Sequence, residues 1–237
     1  MTAAQMAEVD RVATQDMTIP AEVLMEAAAL QIARAARAML GGSVAGKRIV
    51  GLIGGGNNGG DTTAALRRLA NWGALLTAEL AAPDRTVGLA GLEVTRLLMA
   101  TNDAHVAVVH DATVRGPLTL ECDLLLDGLL GYSARGAPRD HLPELIRAAN
   151  ASGSPILAVD LPSGLDPDTG EAPGAIIGAS ATVTLALPKT GLWARRANGA
   201  TGTLLLADIG IPHAAFARAG VDTRGLFGEG DLVRVLR

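Results

Sequence analysis

Aromatic residues are nearly missing from this chain: two Trp, one Tyr and two Phe among 237 residues, 2% of the total. A core of that size must then be built from Ala, Leu, Val and Ile. Such a core suits closely packed helices on a parallel sheet and suits a β-sandwich poorly. Cysteine is scarcer still. Cys122 stands alone, which excludes a disulfide framework and a cysteine-rich zinc site and fits a reducing, cytoplasmic setting. It precedes a very apolar segment and reads as a small buried hydrophobe rather than a nucleophile. No basic block accompanies the formal charge of −4, so the clustered positive face that nucleic acid requires is missing. No apolar run approaches the roughly 18 residues of a membrane span. The opening MTAAQMAEVDRVATQDM lacks the basic start and apolar stretch of a signal peptide.

What the chain does have is alternation. Residues 3–15 and 21–40 read as helices, the second opening after Pro20 and stopping at Gly41-Gly42. RIVGLIGGG (48–56) is an apolar run ending in glycines, a buried strand that enters a loop. A helix over 62–72 and a strand over 75–80 complete a β-loop-α-β unit. The pattern continues with a helix at 91–100, a strand at 105–109, and a strand at 123–126 ending at Asp127. A helix at 140–151 follows, then a strand at 155–159 ending at Asp160, and later strands at 181–187 and 203–208. Strands alternating with helices imply an α/β fold whose mainly parallel sheet is covered on both faces. With no repeat and no linker, residues 1–237 read as one domain.

In open α/β sheets ligands bind beyond the carboxyl ends of the strands, and three strand ends carry unusual residues. The first is GGGNNGGD (54–61), with five glycines, two adjacent asparagines and Asp61 before a helix. Glycines let backbone approach an anion, and a helix N-terminus offers free N–H groups and a positive dipole end. The loop lacks the Gly-Lys-Ser/Thr of a P-loop, and Asn57-Asn58 interrupts a Rossmann fingerprint. Its simplest alternative is a turn with Asp61 as helix cap. The other two strand ends are DGLLGYSARGAPR (127–139) and DLPSGLD (160–166). Asp127 and Asp160 are either loop caps or a pair that holds a cation or serves as acid and base. Ser163 adds a hydroxyl, or belongs with Asp160 to a simple turn motif, with Asp166, Asp168 and Gly170 in a solvated loop beyond. Lys189 either reaches an anion or is a solvated loop residue. A Ser-His-Asp hydrolase finds no G-x-S-x-G elbow, and His105, His110, His141 and His213 read as structural or surface residues.

At these segments the sequence resembles the YjeF N-terminal domain family, the NAD(P)H-hydrate epimerases. The family's Leu-Met-Glu-Asn-Ala-Gly-like helix, G-x-G-N-N-G-G-D-G loop, Asp-x-x-x-Gly loop and V-D-x-P-S-G-L-D turn correspond to LMEAAA (24–29), GGGNNGGDT (54–62), DGLLGYSARGAPR (127–139) and VDLPSGLD (159–166). TVTLALPKTGL (182–192) and LLADIGIP (205–212) fit the closing strands. The resemblance covers nearly the whole chain in the expected order. It implies a three-layer α/β/α Rossmann-like sandwich acting on hydrated NADH or NADPH, a small-molecule nucleotide. Asn57, Asn58, Gly59, Gly60 and Asp61 would cradle that substrate. Gly131, Tyr132, Ser133, Ala134, Arg135, Gly136 and Ala137 would form a second wall. Asp160 would contact the substrate and act as the catalytic carboxylate, while Asn58, Asp127 and Ser163 would match the family's potassium ligands.

The chain departs from the family pattern at four places. Ala27 and Ala29 replace Asn and Gly, Thr62 replaces Gly after the loop aspartate, and Gly-Tyr-Ser-Ala-Arg-Gly replaces a wall close to Gly-Thr-Gly-Leu-Ser-Arg. Tyr132 thus brings a ring that either stacks on the ligand or packs the loop. Family members commonly pair, which sets the expectation of a homodimer. Only about thirty residues follow Leu206, too few for a second domain, so the family's dehydratase partner would be a separate protein. The alternative to an epimerase is a non-catalytic nucleotide-binding or scaffold protein on the same fold. A magnesium-dependent phosphatase or kinase-like enzyme, the third reading, would lack a phosphate-gripping lysine in the Gly-rich loop.

Overall fold

The computed structural model describes residues 1–100, 106–109, 120–196 and 199–235. His105 and His110 lie outside these residues. Seven parallel strands and one antiparallel strand form a single sheet in the order β3-β2-β1-β4-β5-β6-β7-β8. The strands are β1 (Arg48–Ile53), β2 (Leu75–Leu80), β3 (Val106–Val109), β4 (Leu124–Gly128), β5 (Ile156–Val159), β6 (Ala181–Leu185), β7 (Thr203–Ala207) and β8 (Leu232–Arg234). The helices are α1 (Ala3–Arg11), α2 (Ala21–Met39), α3 (Asn57–Asn71), α4 (Gly88–Ala100), α5 (Leu142–Ala151), α6 (Thr190–Arg196) and α7 (His213–Arg218).

Strand sequence explains the layering. Along β1, Ile49 and Ile53 enter one core while Val50 and Leu52 enter the other. In β4, Leu124 and Leu126 likewise oppose Leu125, and in β5 Leu157 and Val159 oppose Ile156 and Ala158. Successive side chains point to opposite faces of a strand, so near-continuous apolar runs mean a sheet buried on both sides. α2 and α3 supply the first core and α5 the second. The Ala-rich stripe of α2, with Ala28, Ala29, Ala33, Ala35 and Ala36 all buried, replaces the missing rings with close helix approach. The fold is thus the three-layer α/β/α sandwich expected. No helix among the described residues is long and apolar enough to cross a membrane.

Besides α6 and α7, where loops are expected, three features differ from the sequence reading. The first helix ends at Arg11 and continues as a π-helical turn over Val12–Asp16. α3 begins at Asn57 rather than 62, so the Asn-Asn-Gly-Gly-Asp segment is a helical first turn capped by Gly56 and not a loop. Asn and Gly are weak helix formers, which hides that turn from pattern reading; packing imposes it. A Cβ on Gly59 would lie 1.9 Å from the Gly54 carbonyl oxygen, and one on Gly54 would lie 1.9 Å from that of Leu129. Helix, β1 end and β4 end meet there with no room for a methyl group. Gly54→Ala or Gly59→Ala is expected to cost about 1–3 kcal/mol or more, read as a lower urea midpoint at unchanged slope; an unchanged midpoint would deny so close an approach. The third difference is β8, antiparallel to β7 and too short to leave a periodic signal.

Candidate active site

The chain runs outward from β1 to β2 and β3, then returns to β4 on the other side of β1. A crevice opens beyond the carboxyl ends of strands wherever such a reversal occurs. A cleft of about 1110 Å³ lies there, lined by Asn57, Asn58, Asp61, Gly131–Ala137 and Asp160, just above the roughly 300–1,000 Å³ usual for small-molecule sites. Gly59 and Gly60 do not line it: Gly59 packs on Gly54, and Gly60 lies against the Met25 side chain. The two expected walls touch where Gly131 faces the Asn58 side chain; a Cβ on Gly131 would lie 3.1 Å from that of Asn58.

Asp127 and Ser163 are buried and do not line this cleft. Ser163 donates from N to Asp127 Oδ2 at 2.8 Å and from Oγ to Oδ1 at 2.6 Å, while Leu129 N donates to Oδ1 at 3.3 Å. Ser163 therefore pairs with Asp127, not with Asp160 as in a simple turn motif. Leu130 N donates to Ser163 Oγ at 2.9 Å, and Asn58 Nδ2 donates to the Leu130 carbonyl at 3.2 Å. Burial pushes the Asp127 carboxyl up to about 6, against the downward pull of the Ser163 and Leu129 donors. Asn58 Oδ1 is buried with no hydrogen-bond partner among the described residues. An orphaned buried acceptor calls for a donor or a cation. The three expected ligands are thus brought together, with one carboxylate and neutral oxygens, a donor set that fits a weakly charged, oxygen-seeking ion. Among the described residues no group of three or more His, Cys, Asp or Glu could hold a metal.

Asp160 stands at the end of β5 with a left-handed φ of 68°, a conformation that costs non-glycine residues about 1–3 kcal/mol and clusters at functional sites. It is 4% exposed and forms an ion pair with the ammonium of Lys189, itself 1% exposed. Lys189 is therefore not a solvated loop residue. It also donates to the Leu185 carbonyl at 3.0 Å, and the ring centroid of Tyr132 lies 5.5 Å from Nζ. The Tyr132 hydroxyl donates to Asp10 Oδ2. Asp10, on α1, lines the cleft and was not singled out from sequence, where an acid on an amphipathic helix reads as a surface residue. Asp168 is also tied in, since its Oδ1 accepts from Ala3 N at 2.6 Å. Arg135 folds back on its own wall, donating to the Tyr132 and Ala134 carbonyls. His141 lines the cleft with Nε2 buried and unpartnered among the described residues, while His213 is exposed on α7.

Asp10, Asp61 and Asp160 thus share the cleft with the ammonium of Lys189, alongside Asp140 and the guanidinium groups of Arg11, Arg85, Arg135 and Arg139. Burial first, then Asp160 and Asp10, hold the Asp61 carboxyl well above its ordinary 3.8. A carboxyl with a raised folded value contributes stability below its unfolded value and loses it as pH rises through the folded one. Asp61→Asn removes that loss. Its melting temperature is expected to exceed the wild type's at pH 8, with the difference vanishing towards pH 4. A variant less stable at pH 8 than at pH 4, relative to wild type, would refute the shift.

The family model described as YjeF-related protein N-terminus matches residues 21–191. An NAD(P)H-hydrate epimerase from Dehalogenimonas lykanthroporepellens is 39% identical over 236 residues, which is 99% of this chain and 92% of that protein. A bifunctional NAD(P)H-hydrate repair enzyme from Moorella thermoacetica is 38% identical over 90% of this chain, which spans 41% of that longer relative. The crystal structure of the yeast protein YNL200c matches with a TM-score of 0.83 at 22% identity, covering 99% of this chain and 98% of the yeast chain; that likeness shows the fold. Matched by the family model over most of its length and by a relative aligned nearly end to end, the chain belongs to the YjeF-related N-terminal family.

Proposed function

We propose that this chain is an NAD(P)H-hydrate epimerase, an isomerase that interconverts the R and S forms of hydrated NADH and NADPH. The observation that carries the reading is the Asp160–Lys189 ion pair, buried in the cleft at the strand-order reversal. The hydrate bears a hydroxyl on C6 of the reduced nicotinamide ring, next to N1. Push from the N1 lone pair expels that hydroxyl as water once its oxygen is protonated, leaving a planar iminium. Water returning to the opposite face, and losing a proton, gives the other epimer. The Asp160–Lys189 pair holds the proton that leaves with the hydroxyl, and the Asp160 carboxylate accepts one from the incoming water. The Asp160 carboxylate, next to the reacting ring in this reading, adds negative charge that steadies the cationic intermediate.

Asn57, Asn58 and Asp61, with the wall at 131–137, bind the nucleotide in this reading, the first turn of α3 offering N–H groups to its phosphates. Gly59 and Gly60 act there through close packing. Asn58, Asp127 and Ser163 hold a potassium ion, supported by the orphaned Asn58 oxygen. Bound there, the ion would supply positive charge that offsets buried Asp127. The active form is a homodimer in a reducing cytoplasm, and a dehydratase consumes the S epimer.

The test is the inversion of purified R-NADHX and R-NADPHX, followed by proton NMR with potassium present and absent. Inversion well above the spontaneous rate, dependent on potassium, is expected. Nucleotide binding without acceleration would instead indicate a binding or scaffold protein.

A further inference from the structure

An ammonium has three N–H directions. In Lys189 one meets Asp160, and another meets the Leu185 carbonyl at 3.0 Å. The Tyr132 ring faces the same nitrogen, 5.5 Å from its centroid, within the range at which an aromatic quadrupole attracts a cation. That ring is itself fixed at its tip, because its hydroxyl donates to Asp10. The segment that carries Asp10 is also tied to the Lys189 segment at its start. The Met1 ammonium donates to the Pro188 carbonyl at 2.7 Å and Thr190 N donates to the Met1 carbonyl at 2.9 Å. The start of α1 is thereby bound to both neighbours of Lys189 in sequence. Asp10, Tyr132, Lys189 and Asp160 form one continuous relay of contacts, drawn from four separate segments and closed through the N-terminus.

We propose that Tyr132, held at its hydroxyl by Asp10, is a positioning residue for the epimerisation, fixing the Lys189 ammonium on Asp160 so that the proton stands where the leaving oxygen arrives. The proposal rests on the reading of Asp160 as the acid–base group. Tyr132 does not supply the proton itself. Burial and the facing carboxylates of Asp10 and Asp160 push its phenol upward, and its proton is committed to Asp10. Burial also raises the Asp10 carboxyl, opposed by the Tyr132 hydroxyl and by Lys189 and reinforced by Asp160. The groups facing Asp10 are thus Tyr132 from the segment after β4, Lys189 from that before α6, Asp160 after β5, and Asp61 on α3. As pH falls through the raised Asp10 value, the carboxylate is neutralised, the Tyr132 bond weakens and the ring loses its anchor. Turnover therefore gains an acidic limb that belongs to Asp10.

The test compares wild type with Tyr132→Phe, which keeps the ring and removes the hydroxyl, with Asp10→Asn, and with the double variant. The expected fall in kcat is about tenfold in Tyr132→Phe, the size of a lost hydrogen bond to a charged group, and smaller in Asp10→Asn, whose amide oxygen still accepts from the Tyr132 hydroxyl. KM stays within about twofold, and the double variant loses no more than Tyr132→Phe because the two residues act as one unit. The Asp10 acidic limb disappears in all three. Tyr132→Leu, lacking the ring as well, loses more than Tyr132→Phe. Wild-type kcat with an intact acidic limb in Tyr132→Phe and Asp10→Asn would overturn the proposal. So would a fall in kcat accompanied by raised KM, lowered melting temperature and an unchanged limb, which marks ordinary packing. An independent reading needs no substrate: the 15N resonance of the Lys189 ammonium shifts in Tyr132→Phe and Asp10→Asn, and an unmoved resonance contradicts the relay. A wild type without inversion but with the shifted resonance would sink the epimerase reading alone.

Discussion

Asp160→Asn is expected to abolish inversion, lowering kcat by about 10²–10⁴-fold, the range attributed to a positioned general acid–base group. Nucleotide binding should persist, because the substitution leaves the shape of the cleft and the first turn of α3 intact. The amide can still accept a hydrogen bond from Lys189 but cannot take a proton from water. Parallel measurements of turnover and of nucleotide affinity separate the two roles. Full activity in this variant would sink the assignment of Asp160, and loss of binding with loss of turnover would make it a binding residue instead.

The second large effect is expected at Lys189. Replacing it with Met leaves the Asp160 carboxylate in an interior where it is 4% exposed without its ion-pair partner. Removing one member of a buried pair costs about 3–5 kcal/mol, more than the pair itself contributes, because the remaining charge stays desolvated. For a chain of this size each kcal/mol lowers the melting temperature by about 2–4 °C, so Lys189→Met should melt roughly 10 °C lower. Adding Asp160→Asn should restore part of that loss, since no charge then remains stranded. Recovery of stability without recovery of activity is the expected signature of a pair kept for chemistry. A single variant as stable as wild type would mean that Asp160 finds water or another donor, and that the pair is not closed as described.

The parts of the site that were legible in the sequence are those written as contiguous exceptions to local pattern. Asn57-Asn58 among glycines, Asp127 after three leucines and Asp160 after Ile-Leu-Ala-Val each break an apolar run at a strand end. The parallel sheet then collects strand ends on one rim, so three exceptions become one neighbourhood. Asp10 and Lys189 were less legible because their environment depends on long-range pairing. Lys189 follows a strand and a proline, as surface lysines do, and only a carboxylate 29 residues earlier makes its burial tolerable. Asp10 lies 122 residues from Tyr132, and no local signal distinguishes it from Glu8, its exposed neighbour on α1. Helix boundaries failed for a related reason: the first turn of α3 has poor intrinsic propensity and is imposed by the backbone of Gly54 and Leu129. The left-handed φ of Asp160 is likewise a product of tertiary fit, with no composition that announces it.

The most direct test of the account is epimer inversion in water enriched in ¹⁸O, followed by proton NMR for configuration and mass spectrometry for label. Purified protein, with potassium, is expected to convert R-NADHX or R-NADPHX to the S form well above the spontaneous rate, with each inverted molecule carrying a solvent oxygen at C6. Inversion at the spontaneous rate, or rapid inversion with the original oxygen retained, would contradict it.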